Sequence, residues 1–152
     1  MAARIIGIGQ QWAGDDGVGI AVIRKLREMS VASLDLVEAV DPTQLITLLT
    51  DGADPVVIVD AVLDEGPAGR MLLIDAQRQD PHSRHLLSTH GVGVMEAIEL
   101  ARIAHPEKVA QRIFIVGITI QSAGRGSRDL SPATAEAVPR AAALVSELAK
   151  SG

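Results

Sequence analysis

The sequence predicts a three-layer α/β fold: a doubly wound, mostly parallel five-stranded sheet with helices on both faces and one antiparallel strand. Three observations lead there. Apolar segments of strand length alternate with amphipathic segments of helix length, the pattern of βαβ units. The clearest apolar run, Val56-Val57-Ile58-Val59, shows no polar/apolar alternation, as expected of a strand buried on both faces of a parallel sheet. One pair of successive strands is joined by too short a link for a parallel crossover helix.

The elements follow in order. Ile5 to Ile8 reads as a buried strand within Ile5-Ile6-Gly7-Ile8-Gly9. Asp16 to Met29 has helical spacing: Val18, Val22 and Leu26 form a stripe with Ile23 and Met29 beside it, and Arg24, Lys25, Arg27 and Glu28 lie off it. Leu34 to Ala39 is a second strand. Asp41-Pro42-Thr43-Gln44 is a helix start, with Asp41 as N-cap, Pro42 at the first helical position and Gln44 closing a capping box; the helix is expected to reach about Thr50. Pro55 to Ala61 is the strongest strand and ends in Asp60-Ala61. Arg70 to Asp75 is the next, and with only Val62 to Gly69 between them the two should pair antiparallel or not be neighbours. Ala76 to Leu87 is polar, contains Asp80-Pro81 and reads as a loop. Val94 to Ala104 is a helix with Val94, Ala97, Ile98 and Ala101 on one stripe, ended by His105-Pro106. Arg112 to Ile118 is the last strand, Gln121 to Leu130 a loop, and Ser131-Pro132 opens a final helix that Pro139 should kink.

Composition narrows the function classes. The 152 residues, 47% of them hydrophobic, suit a single domain spanning 1–152. One Trp, one Phe and no Tyr imply an aliphatic core and give no aromatic interface from which to read an oligomeric state. A net charge of -5 without a long Lys/Arg run argues against a nucleic-acid binder. The absence of Cys excludes disulfides, thiol catalysis, zinc-thiolate sites and iron–sulfur clusters within this chain. Met1-Ala2-Ala3-Arg4 shows no signal peptide, and no apolar run approaches the roughly 20 residues of a membrane span. A cytoplasmic protein that does not engage a membrane is the expectation.

In sheets of this class the ligand sits outside the carboxyl ends of the strands. Three polar features fall there: Gly7 to Gly17, Asp60, and Ser88-Thr89-His90-Gly91 leading into a helix. Gly7-x-Gly9 after a strand invites a dinucleotide reading, and Glu38 resembles its acidic ribose partner. The third glycine position is Trp12, however, and Asp15 and Asp16 stand where a pyrophosphate would meet the helix N-terminus. Two carboxylates there repel phosphate and favour a cation. Acidic residues also stabilise a helix N-terminus by about 0.3–1 kcal/mol each, so Asp15 is expected to be the N-cap, and Asp16 is the surplus carboxylate. Asp60 can be a turn cap, but a carboxylate after four apolar residues is costly to bury without a partner. His90 can be a loop histidine with a structural hydrogen bond, and His82 and His85 read as solvated. No HExxH helix and no Gly-x-Ser-x-Gly elbow is present. Together Asp16, Asp60 and His90 offer two carboxylates and an imidazole, a donor set suited to a divalent first-row metal with positions left open.

At these residues the chain resembles the maturation endopeptidases of [NiFe]-hydrogenases. The family's Gly-x-Gly-Asn, short apolar stretch and Asp-Asp/Glu-Gly-x-Gly are similar to Gly7-Ile8-Gly9-Gln10 and Asp15-Asp16-Gly17-Val18-Gly19. Its strand-end Asp-Ala resembles Asp60-Ala61, and its Ser-x-His-x-x-Gly resembles Ser88-Thr89-His90-Gly91-Val92-Gly93, with Glu96 downstream. Val116-Gly117-Ile118 and Leu130-Ser131-Pro132 match its late strand and final helix start. The resemblance implies an aspartyl-type peptidase without a Ser or Cys nucleophile. It would remove a C-terminal extension from the hydrogenase large-subunit precursor after nickel insertion. It implies that Asp16, Asp60 and His90 contact nickel supplied by the precursor and not stored by the enzyme. Those three are also the candidate catalytic residues. Gln10 replaces the family's Asn, Glu38 stands where the family has Asp followed by glycines, and Ile120 replaces a proline. Gln10 and Glu38 are therefore the candidates for the substrate rim. The alternative on the same fold is a non-catalytic, metal-sensing chaperone of the precursor. A nucleotide-binding oxidoreductase and a metal-retaining hydrolase of small substrates are more distant readings.

Overall fold

The strands are Ala3–Ile8 (β1), Leu34–Ala39 (β2), Val56–Leu63 (β3), Met71–Asp75 (β4) and Ile113–Ile120 (β5), and the helices Val18–Glu28 (α1), Leu45–Leu48 (α2), Gly93–Ala104 (α3) and Pro132–Lys150 (α4). They come from a computed structural model that describes residues 2–9, 14–31, 33–77, 93–121 and 130–150. The strands form one sheet in the order β2-β1-β3-β5-β4. β1 runs parallel to β2 and β3, β3 runs parallel to β5, and only β4 is antiparallel, against β5. The predicted fold class is the observed one.

Alternation along the strands divides the core between two faces. Ile5, Val57, Val59, Ala61, Val116 and Ile118 pack with Val18, Val22, Ile23 and Leu26 of α1 and with the small-residue stripe Ala137, Ala141, Ala142 and Val145 of α4. Ile6, Ile8, Val56, Ile58, Ile113 and Ile115 pack on the other face with Leu45, Leu49, Val94, Ile98 and Ala101. The largest fully buried side chains among the described residues are all Ile or Leu, as the aromatic-poor composition requires.

Local chemistry sets the element ends. The Asp41 carboxylate accepts the Thr43 N–H at 2.8 Å, and Gln44 Oε1 accepts the Asp41 N–H at 3.1 Å, so the capping box forms as the sequence suggests. The helix it starts is a 3₁₀ turn, Pro42–Gln44, followed by the short α2, with the last bonds donated by the Leu49 and Thr50 N–H groups, close to the expected end. α4 continues through Pro139 without a break. Pro139 and Ala135, whose carbonyl loses its N–H partner to the proline, both lie on the exposed side of the helix.

β3 and β4 are not neighbours, because β5 lies between them. The link from β3 to β4 crosses the carboxyl end of β5 and is fastened there. Asp64 N–H donates to the Ile120 carbonyl at 3.1 Å, and Gly69 N–H to that of Thr119 at 2.7 Å. The buried Thr119 hydroxyl accepts the Arg70 N–H and donates to the Pro67 carbonyl, both at 2.9 Å. Thr119→Val keeps the shape and strands both backbone groups. The expected cost is about 1–3 kcal/mol, seen as a lower urea midpoint at unchanged m-value.

Candidate functional site at the carboxyl ends of β1 and β3

The chain leaves β1 toward β2 on one side and builds β3, β5 and β4 on the other, so the sheet's topological switch point lies between β1 and β3. The last register pair of these strands is Gly7 with Val59. Asp60 is therefore the first residue of β3 beyond the end of its pairing with β1. It does not end the strand as the sequence suggested: β3 runs on beside β5 from Asp60 opposite Gly117 to Leu63 opposite Ile120. With no turn following, a turn-capping role does not apply. Strand alternation points Asp60 to the same face as Val56 and Ile58, the face that carries α2 and α3. Its side chain is 1% exposed, and its Oδ1 accepts the N–H of Ala61 at 2.8 Å.

Two further segments arrive at this end of the sheet. A 3₁₀ turn, Gly14–Gly17, carries the backbone of Asp16 and packs against β3. α3 begins at Gly93, three residues after His90, and its first residue rests on Pro42. The structure thus places Asp60, the Asp16 backbone and the start of α3 at the same end of the sheet. The Asp16 side chain, Gln10, His82, His85 and the segment from Ser88 to Val92 with His90 lie outside the described residues, as do the loop residues 78–92 and 122–129. Among the described residues no three His, Asp or Glu side chains are grouped as a metal centre.

The glycine frame of the β1–α1 turn has a packing function that the sequence did not reveal. A Cβ on Gly7 would lie 2.3 Å from the Gly19 carbonyl oxygen, and one on Gly19 would lie 2.5 Å from the carbonyl oxygens of both Ile8 and Val59. The first turn of α1 is seated directly on the backbones of β1 and β3, at the closest approach glycine permits.

Asp15 also departs from expectation. It does not cap α1: Gly17 occupies the N-cap position, with no side-chain hydrogen bond there. Asp15 instead reaches across to α4. Its Oδ1 accepts the Ser131 backbone N–H at 2.7 Å and its Oδ2 accepts the Ser131 hydroxyl at 2.9 Å. Ser131-Pro132 is readable in the sequence as a helix start, but nothing local marks a partner 116 residues away.

Glu38, at the end of β2 in register with Gly7, turns toward α1, where Arg24 and Arg27 bind its two carboxylate oxygens. The residue expected at the substrate rim thus ties β2 to α1. Arg24 and Arg27, read in the sequence only as the polar side of that helix, are its partners.

The chain is thus a doubly wound α/β protein whose polar end, at the switch point, is built from a buried strand carboxylate, an acidic 3₁₀ turn and a helix start. A family model described as HycI, hydrogenase maturation protease, matches residues 20–148. Protein FrxA of Pyrococcus furiosus is 30% identical over 142 residues, covering 91% of this chain and 98% of that protein. The chain belongs to the hydrogenase maturation protease family, a family of peptidases. The family match begins within α1, so Asp60 and His90 fall inside it, and Asp15 and Asp16 precede it. Solved structures bear out the fold. The [NiFe] hydrogenase maturation protease HybD from Thermococcus kodakarensis superposes with a TM-score of 0.80 at 21% identity, covering 99% of this chain and 100% of that one. HybD from Escherichia coli gives 0.79 at 17% identity, covering 100% and 94%. HycI from Thermococcus kodakarensis gives 0.70 at 23% identity, covering 98% and 92%. Among the described residues, no helix is long and apolar enough to cross a membrane.

Proposed function

We propose that this chain is a cytoplasmic endopeptidase that removes the C-terminal extension of a [NiFe]-hydrogenase large-subunit precursor once nickel is in place. Asp16, Asp60 and His90 contact the precursor's own nickel. The observation that carries the reading is Asp60: a carboxylate 1% exposed, on an otherwise apolar strand, at the switch point of a maturation-protease fold. A carboxylate is a good oxygen donor for a divalent first-row ion, and a substrate-borne cation brought to this end of the sheet meets one in Asp60.

Two carboxylates and an imidazole leave coordination positions open for the precursor's own ligands. Docking the nickel holds the adjacent chain against the carboxyl ends of β1 and β3, which turns the encounter with the scissile peptide into an oriented one. Water then adds to the polarised peptide carbonyl, the C–N bond breaks and the tail leaves as an amine. Nickel is thus part of the substrate and not a resident cofactor. Gln10 stays the candidate for contact with the precursor near the metal, whereas the Glu38 carboxylate is engaged by Arg24 and Arg27 of α1.

The test is incubation of the purified chain with nickel-loaded precursor, reading loss of the tail by mass. Cleavage is expected with nickel-loaded precursor and not with nickel-free precursor. Asp16→Asn and His90→Ala should each abolish it while retaining the native circular dichroism spectrum. Normal processing by both variants would overturn the metal assignment. Binding of the precursor without loss of the tail would make the chain a metal-sensing chaperone.

A further inference from the structure

We propose that Asp15 is a positioning residue, a clamp that fixes the acidic 3₁₀ turn to the amino terminus of α4 and so sets where Asp16 stands. The proposal rests on the reading of Asp16 as a nickel contact and adds the device that holds it.

Ser131 is the N-cap of α4, because its carbonyl accepts the first helical bond, from Ala135 N–H, at 2.8 Å. Its hydroxyl lies 2.9 Å from Asp15 Oδ2 and 3.0 Å from the buried Thr134 hydroxyl, and faces the Thr134 N–H at 3.4 Å. Proton accounting gives this network one polarity. The Asp15 carboxylate only accepts, so the single Ser131 hydroxyl proton goes to it, and Ser131 Oγ in turn accepts from Thr134. The second Asp15 oxygen takes the Ser131 N–H at 2.7 Å. A charged acceptor thus engages both donors of one residue at a helix amino terminus, where charge-assisted bonds are short and strong and the helix dipole adds to them.

The consequence falls on the turn. Gly14–Gly17 is a single 3₁₀ turn, and its α1 cap position carries no side-chain bond. One side of Asp15 is therefore bonded to a long helix packed on α1, and the adjacent residue is Asp16. Groups that hold a ligand residue in place cost about 10–100-fold in activity or metal affinity when removed.

The experiment is a double-mutant cycle on D15A and S131A, with D15N as the conservative variant and two readouts. Amide hydrogen exchange over residues 14–19 reports opening of the turn, and single-turnover processing of nickel-loaded precursor reports its consequence. Each single variant should exchange at these amides at least about tenfold faster and process about 10–100-fold more slowly, with the loss in kcat and not in KM. The double variant should be no worse than the worse single one, and D15N, which keeps one acceptor oxygen, should recover part of the rate. Additive losses or unchanged exchange would overturn the clamp. Faster exchange with normal processing would overturn its positioning role. D16N in parallel separates the two readings: if D16N processes normally the nickel assignment falls, and the exchange cycle alone then decides the clamp.

Discussion

Gly19→Val is expected to destabilise the protein by about 3 kcal/mol or more, at the upper end of what overpacking does. The reason lies in two backbones rather than in side chains. A Cβ at Gly19 would sit 2.5 Å from the carbonyl oxygens of Ile8 and Val59, whereas ordinary contact begins at 3.4 Å. These oxygens belong to the carboxyl end of β1 and to β3, in the middle of the sheet, and cannot give independently. α1 must retreat by close to an ångström, and Val18, Val22, Ile23 and Leu26 would lose their packing against the sheet. Gly19→Ala meets the same clash and gains about 1 kcal/mol of helix propensity, so it should cost less, about 1–2 kcal/mol. Against a typical total of about 5–15 kcal/mol, both shifts are readily measured by urea denaturation. The result that would sink this account is a Gly19→Ala protein of unchanged stability that no longer processes precursor. That would mean the glycine admits a ligand and not a strand.

This packing role bears on what a sequence of this kind discloses. The strands were legible because they are apolar runs of strand length, and β2 falls at Leu34–Ala39 as read. The end of β3 was not, because a carboxylate reads as a terminus in hydropathy, whereas the ladder with β5 carries the strand past Asp60 to Leu63. The antiparallel strand followed from the short link after β3. Its neighbour did not, since that is fixed by where Thr119 fastens the link, a contact between residues 49 apart. Asp60 was legible as a chemical anomaly, a carboxylate in apolar company. Asp15 was legible as an acid near a helix start, but not which helix: local capping is the default expectation, and the actual partner is 116 residues away. Glu38 was legible as an acid at a strand end. That its carboxylate faces Arg24 and Arg27 depends on how α1 lies along β2, which pattern alone does not specify.

Asp60→Asn is expected to leave the fold intact and to lower processing by about 10²–10³-fold, the scale of losing one oriented polar group from a reaction site. The two halves of this expectation come from the same geometry. The carboxylate is 1% exposed and its Oδ1 accepts the Ala61 N–H at 2.8 Å. Asn fills the same volume and offers the same oxygen to that N–H, so β3 keeps its register between β1 and β5, and the melting temperature should move by only a few degrees. What Asn cannot supply is the negative charge, and a neutral carboxamide is a poor donor to a first-row divalent ion compared with a carboxylate. Asp60→Glu restores the charge but displaces it by one methylene in a close-packed strand environment. It should also process slowly if placement as well as charge matters. The measurement is single-turnover loss of the precursor's tail, run beside a thermal melt of each variant. Normal processing by Asp60→Asn would remove this carboxylate from nickel recognition. An unfolded Asp60→Asn protein would reassign this carboxylate from nickel recognition to structure.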